Sequence, residues 1–136
     1  MNVMVNRNLI GCKSREIRIR IEEEQVRRYT QAVGIPYDGE VPPTFAAVLA
    51  ENVPEIDLHL KDLIHVEQNV YYYGPLMIGD VVTCAKYVTE VYDGKSALGS
   101  SAYIVLETKG VNPVGEILFL LSETYMILKG DDVYKK

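Results

Sequence analysis

Six consecutive apolar residues, Phe45-Ala46-Ala47-Val48-Leu49-Ala50, stand between Pro42-Pro43 and Val53-Pro54. Pro43 suits the first turn of a helix, and the residue before Pro54 is steered away from helical backbone. The segment predicts a helix of ~10 residues with apolar side chains all round. Such a helix cannot lie on a surface, because every face needs a protein partner. The rest of the chain must therefore wrap it.

The wrapping material is β. Residues 16–22 alternate, with Ile17, Ile19 and Ile21 to one side and Arg18, Arg20 and Glu22 to the other, as in a half-buried strand. Glu22-Glu23-Glu24 then opens a helix with acids at its positive end. Val26, Tyr29 and Val33 form its expected apolar stripe, and Gly34 with Pro36 ends it. Beyond the apolar helix, residues 63–73 alternate again. Ile64, Val66, Val70 and Tyr72 face one way, and His65, Glu67, Asn69, Tyr71 and Tyr73 the other. Gly74-Pro75 breaks this strand. Residues 80–92 and 96–108 read as a strand pair around an Asp93-Gly94 hairpin turn. A turn at residues 109–113 leads to a last strand over 115–129. Its run Ile117 to Leu121 is apolar on both faces, which predicts a central strand or an oligomer interface. The pattern is α+β: a long, curved, antiparallel sheet wrapped around one short buried helix.

The 136 residues fit one domain, over residues 1–136, with a core large enough to need no staples. The net charge of −5 argues against nucleic acid as a partner. Cys12 and Cys84 have no metal-ligand spacing, so no metal is expected and reduced thiols of a cytoplasmic protein are the favoured reading. No apolar run approaches the roughly 20 residues of a membrane span, and residues 1–11 lack a signal pattern.

Several segments, taken in order, resemble the MaoC-like dehydratases, in particular the dehydratase N-terminal type. Val41-Pro42-Pro43-Thr44-Phe45 is similar to that family's Ala-Pro-Pro-Thr-Phe opening of a central helix. Ile64-His65-Val66-Glu67-Gln68 resembles its His-x-Glu-Gln segment. Gly74-Pro75-Leu76 with Ile78-Gly79-Asp80 resembles its Pro-Leu-x-x-Gly-Asp stretch, and Val88-Thr89-Glu90-Val91 with Asp93-Gly94-Lys95 its hairpin. The likeness runs from about Gly11 to Leu128 and implies the hot-dog fold. It also implies reversible hydration of trans-2-enoyl to (3R)-3-hydroxyacyl thioesters of coenzyme A or acyl carrier protein, with no cofactor beyond the thioester. That chemistry needs a base for water attack at C3, an acid for C2, and a donor for the thioester carbonyl. The family uses an Asp and a His from a Gly-Asp-x-Asn-Pro-x-His segment, with a backbone N–H at the start of the central helix as the donor.

This chain departs from that segment. The family glycine matches Gly34, but Ile35 follows where Asp belongs, and no histidine lies between Gly34 and Thr44. The resemblance therefore points to a subunit without the dyad, like the partner chain in heterodimeric hydroxyacyl-carrier-protein dehydratases. A homodimer or a heterodimer with a second hot-dog subunit is expected, with the sheets continuous across the interface. The alternatives are a self-sufficient hydratase with a replacement acid/base, a thioesterase using Glu51, and an acyl-thioester binding module. Candidate catalytic residues are Asp38, His65 and Glu67, with Glu40 in the same loop as Asp38. Candidate substrate-binding residues are Pro43, Thr44, Phe45, Tyr71 and Tyr73. Each has a plainer reading. Tyr37-Asp38-Gly39 is turn chemistry, His65 and Glu67 can anchor a strand, tyrosines often simply pack, and Arg27-Arg28 reads as a solvated helix face.

Overall fold

The computed structural model describes residues 7–56, 58, 63–96 and 99–127. After a 3-10 turn at Arg7–Leu9 the chain forms β1 (Ile17–Arg20), α1 (Glu23–Val33), a 3-10 turn at Pro43–Phe45 running into α2 (Ala46–Glu51), and then β2 (Leu63–Tyr72), β3 (Val81–Ser96), β4 (Gly99–Val111) and β5 (Ile117–Ile127). The five strands make one antiparallel sheet in the order β1-β3-β4-β5-β2. β5, with its two apolar faces, lies between β4 and β2.

α1 starts where the acids predicted. The Glu22 N–H donates to Gln25 Oε1 at 3.3 Å, and Glu23 and Glu24 sit in the first turn. Gly34 ends the helix in the left-handed region, at φ 81°, where a side chain would be strained. The buried stripe differs from the expected one. Val26 and Thr30 are buried and Tyr29 packs against the core, but Val33 is 50% exposed. The last turn of the helix stands clear of the core.

α2 is shorter than its sequence pattern. The first turn, Pro43–Phe45, is 3-10, with the Phe45 N–H donating to the Pro42 carbonyl at 2.9 Å. Only Ala46–Glu51 is α-helical. Phe45, Ala46, Leu49 and Ala50 are buried, and Ala47 and Val48 are partly covered. They pack against Val82 and Cys84 of β3 and Leu118, Phe119 and Leu121 of β5. Each large apolar side chain placed here contributes ~1.5–3 kcal/mol. A second cluster, Val88, Val91, Ala102, Ile104, Leu106 and Ile127, lies further along the sheet, with Ile56 and Leu58 against it.

Three register shifts interrupt the ladders, at His65/Glu67, Val88/Glu90 and Gly110/Val111. Such bulges bend and twist a strand, which lets one sheet serve both the helix and the second cluster. The expected turn at Asp93-Gly94 is not one. Asp93 pairs with Ala102 and Gly94 with Ser101, well inside the β3–β4 ladder. The Tyr103 ring occupies the place of a side chain on Gly94, within 2.6 Å of where a Cβ would stand, so this glycine serves packing.

Candidate functional site

An open groove of about 830 Å³ lies beside the start of α2. One wall is Gly39, Glu40, Val41 and Pro43. The other is the end of β2 and the loop after it, from Tyr72 through Gly74 to Ile78. The loop is held in shape by its own hydrogen bonds. The Met77 N–H donates to Asp80 Oδ2 at 2.9 Å, the Gly79 N–H to the Ile21 carbonyl at 2.8 Å, and the Gly74 N–H to the Leu118 carbonyl at 3.4 Å.

Two tyrosines tie the α2 entry to its neighbours. Tyr29 of α1 donates to Thr44 Oγ1 at 2.6 Å, and its ring packs edge-on against Phe45, with centroids 5.6 Å apart. Tyr72 of β2 donates to the Pro43 carbonyl. Burial first, and the neighbouring Tyr29 second, raise the Tyr72 phenol above its ordinary pKa. The 3-10 geometry also uses donors: the Ala46 N–H bonds back to the Pro43 and Thr44 carbonyls, as that of Phe45 does to Pro42.

The structure does not bring the three candidate catalytic residues together. Asp38 is spent in a turn, where Oδ1 accepts the Glu40 N–H at 3.0 Å. Glu40, next to it, lines the groove. His65 and Glu67 are at the far end of β2, roughly 20 Å from Tyr72 at strand rise. They do not share a face either. His65 stands opposite Tyr125 and Glu67 opposite Thr124, which are adjacent on β5 and point to opposite sides. The bulge at Val66 thus breaks the expected alternation. His65 Nε2 lies 3.7 Å from Glu123 Oε2, with its ring 5.1 Å from Tyr125. Glu67 instead accepts from Asn69 Nδ2 at 3.0 Å, and its charge, after burial and Glu90, helps to raise the Tyr92 phenol. The other histidine, His59, lies outside the described residues.

Of the candidate substrate contacts, Pro43 lines the groove. Thr44 sits beside it as the acceptor of Tyr29, and Phe45 is wholly in the core. Tyr71 and Tyr73 are 53% and 63% exposed and line other surfaces; the tyrosine between them is the one in the groove. Glu51 is exposed at the end of α2, away from the groove. Arg27 is committed locally, 2.9 Å from Glu23 and 4.5 Å above the Tyr37 ring. Glu40, Tyr29 and Tyr72 are what the sequence reading undervalued. The signal was in the alternation itself, which sets Tyr72 on the apolar side with Val70 and turns Tyr71 and Tyr73 away, as the structure has them. Among the described residues no group of three His, Cys, Asp or Glu side chains could hold a metal ion.

A curved antiparallel sheet around a short helix defines a hot-dog domain. Residues 36–121 match the family model described as FAS1-like, dehydratase domain region, and the chain belongs to that family. It is 30% identical over 97 residues to a UPF0336 protein of Thermobifida fusca, covering 66% of this chain. The chain spans about 60% of the length of the curated relatives it matches. Solved MaoC-like structures share the fold. The HadBC (3R-hydroxyacyl-ACP dehydratase) complex from Mycobacterium tuberculosis superposes with a TM-score of 0.64 at 19% identity, covering 87% of this chain and 98% of that one. The ChsH1–ChsH2 complex from the same organism superposes with a TM-score of 0.71 at 12% identity, covering 88% and 85%.

Proposed function

We propose that this chain is a dyad-lacking subunit of a dehydratase or hydratase acting on (3R)-3-hydroxyacyl and trans-2-enoyl thioesters of coenzyme A or acyl carrier protein. It pairs with a dyad-bearing hot-dog chain, works in the cytoplasm, and needs no cofactor beyond the thioester. The observation that carries this reading is the groove's composition. Among the described residues it holds one carboxylate, Glu40, and no histidine, and the adjacent Asp38 is tied into a turn. Hydration requires a base that takes a proton from water as its oxygen bonds to C3, and an acid that protonates C2. A partner chain would supply that pair, while this chain supplies a wall for the acyl group.

The sheet edges support the pairing. Beyond β1, residues 11–14 continue along the outer side of β3 through Gly11 N–H to Val88 O, Ser14 N–H to Lys86 O, and Lys86 N–H to Ser14 Oγ. Among the described residues the β2 edge has no such cover, and it exposes Leu63, Ile64 and Val66. An uncovered ten-residue edge with apolar side chains is a template for another strand. Both mycobacterial neighbours are complexes of two kinds of chain by name.

Purified chain should not hydrate a short trans-2-enoyl-CoA, and co-expression with a dyad-bearing hot-dog partner should give activity at least ~100-fold above it. Turnover by the lone chain, lost on Glu40→Gln, would sink the subunit reading in favour of a self-sufficient hydratase. The position of the Glu40 carboxylate in the groove is the one feature that favours that second reading.

A further inference from the structure

Among the described residues, the polar side chains of the groove are of one kind. Its lining side chains are Glu40, Val41, Pro43, Tyr72, Pro75, Leu76, Met77 and Ile78, with Gly39 and Gly74 completing it. Only two of these side chains carry oxygen. Glu40, when ionised, accepts hydrogen bonds and cannot donate. Tyr72 has a single proton, and that proton goes to the Pro43 carbonyl, an oxygen that can only accept. What Tyr72 offers a ligand is lone pairs. The Met77 sulfur is at most a weak acceptor.

Part of the backbone around the groove is committed as well. Pro43 and Pro75 have no N–H. The N–H groups of Glu40, Gly74 and Met77 are given to Asp38, Leu118 and Asp80. Just behind the groove, Phe45 and Ala46 spend theirs inside the 3-10 turn. Thr44 still has a hydroxyl proton to give, but it is not among the lining residues. Two acceptors therefore stand in an otherwise apolar channel, with no lining side chain able to donate.

We infer that the groove selects an acyl chain that brings its own hydrogen-bond donor, so that it holds the hydroxyacyl thioester in preference to the enoyl or saturated one. This rests on the acyl-thioester reading above. A hydroxyl on the chain can donate to Glu40 or Tyr72 and restore what those oxygens lose when water leaves. An enoyl or saturated chain cannot, and it leaves acceptors desolvated without a partner. Sites built to bond a ligand hydroxyl discriminate strongly against analogues that lack it, for this reason.

The test is a binding comparison on the purified chain by titration calorimetry. The ligands are three pantetheine thioesters of equal chain length: 3-hydroxyoctanoyl, trans-2-octenoyl and octanoyl. The hydroxyacyl ligand should bind roughly tenfold tighter than either other, the equivalent of one net hydrogen bond. Glu40→Gln adds an amide donor at an exposed position that the fold does not depend on, and should shrink the ratio to about threefold or less. Tyr72→Phe removes the second acceptor and should shrink it too, with its far-UV spectrum checked against the parent. Equal affinities for all three ligands would overturn the inference and leave the subunit reading standing. An undiminished ratio in Glu40→Gln and Tyr72→Phe alike would also overturn it. If none of the three binds, the acyl-thioester reading falls and the inference with it.

Discussion

Two neighbouring acids, Asp38 and Glu40, show how differently similar residues can be used. Asp38 is consumed by its own backbone turn, which frees Glu40 to face the groove. Other titrating groups report on packing. Burial, followed by the charge and hydrogen bond of Glu123 and the charge of Glu55, pushes the Tyr125 phenol up to about 12. Burial and the Glu107 carboxylate, which accepts from the Tyr87 hydroxyl at 2.7 Å, do the same to Tyr87. Burial alone takes the Cys84 thiol from 9.0 to about 12. All three pKa values are raised in the folded state, so their contribution is complete below the unfolded values. It is lost as pH rises from those values through about 12, because the unfolded chain gives up its protons first. Urea midpoints should therefore fall steadily between pH 9 and pH 11, and less steeply in Tyr125→Phe. An unchanged slope in that variant would show that Tyr125 carries none of the effect.

At the scale of elements, the strands are placed by side chains that need particular neighbours. A Cβ on Gly110 of β4 would stand 2.3 Å from the Phe119 ring of β5, and Phe119 is fully buried under α2. Gly110→Ala should cost ~1–3 kcal/mol in chemical denaturation, as overpacking of a rigid ring does. A loss below ~0.5 kcal/mol would mean that β4 and β5 can part at little cost there. The β2 bulge is the other decisive local feature. It separates His65 from Glu67, two residues that simple alternation would join, while Tyr72 keeps the side that alternation gives it with Val70. The α2 segment shows the same competition. Its apolar run reads as one helix, but the proline pair starts it as a 3-10 turn.

For the whole molecule, the segment after α2 closes over one face of the sheet, while β2 stands at an edge. Lys86, with its side chain 7% exposed, faces the helix side between the two apolar clusters, and its ammonium lies 3.6 Å from Glu55, which is 84% exposed. Glu55 thus closes the segment after α2 over the sheet with a charge at the boundary of solvent. Among the described residues no strand pairs with the outer side of β2. Sedimentation of the chain, alone or with its partner, should show a dimer, and Ile64→Lys should shift it toward monomer, since a lysine on an edge strand opposes strand addition. The same variant should keep its urea midpoint within ~0.5 kcal/mol, because Ile64 is exposed in the single chain. A parent chain that stays monomeric with every hot-dog partner would remove the basis for the subunit reading. None of the helices among the described residues is long and apolar enough to cross a membrane.

Periodicity and proline placement determined a great deal without any structure. The all-apolar run 45–50 required a wrapped helix, the alternating segments supplied the sheet, and the doubly apolar 117–121 run placed β5 inside it. The absence of histidine between Gly34 and Thr44 was legible in the same way, as a matter of composition. Tertiary structure alone decided which side chains meet. A bulge changes the facing of every later residue by one step, and no local pattern announces it. A glycine in Asp93-Gly94 reads as a turn until the Tyr103 ring is seen lying on it. The acceptor-only character of the groove's side chains depends on where the proton of Tyr72 is spent. Its partner, the Pro43 carbonyl, lies far away in sequence, so only the folded chain could assign it.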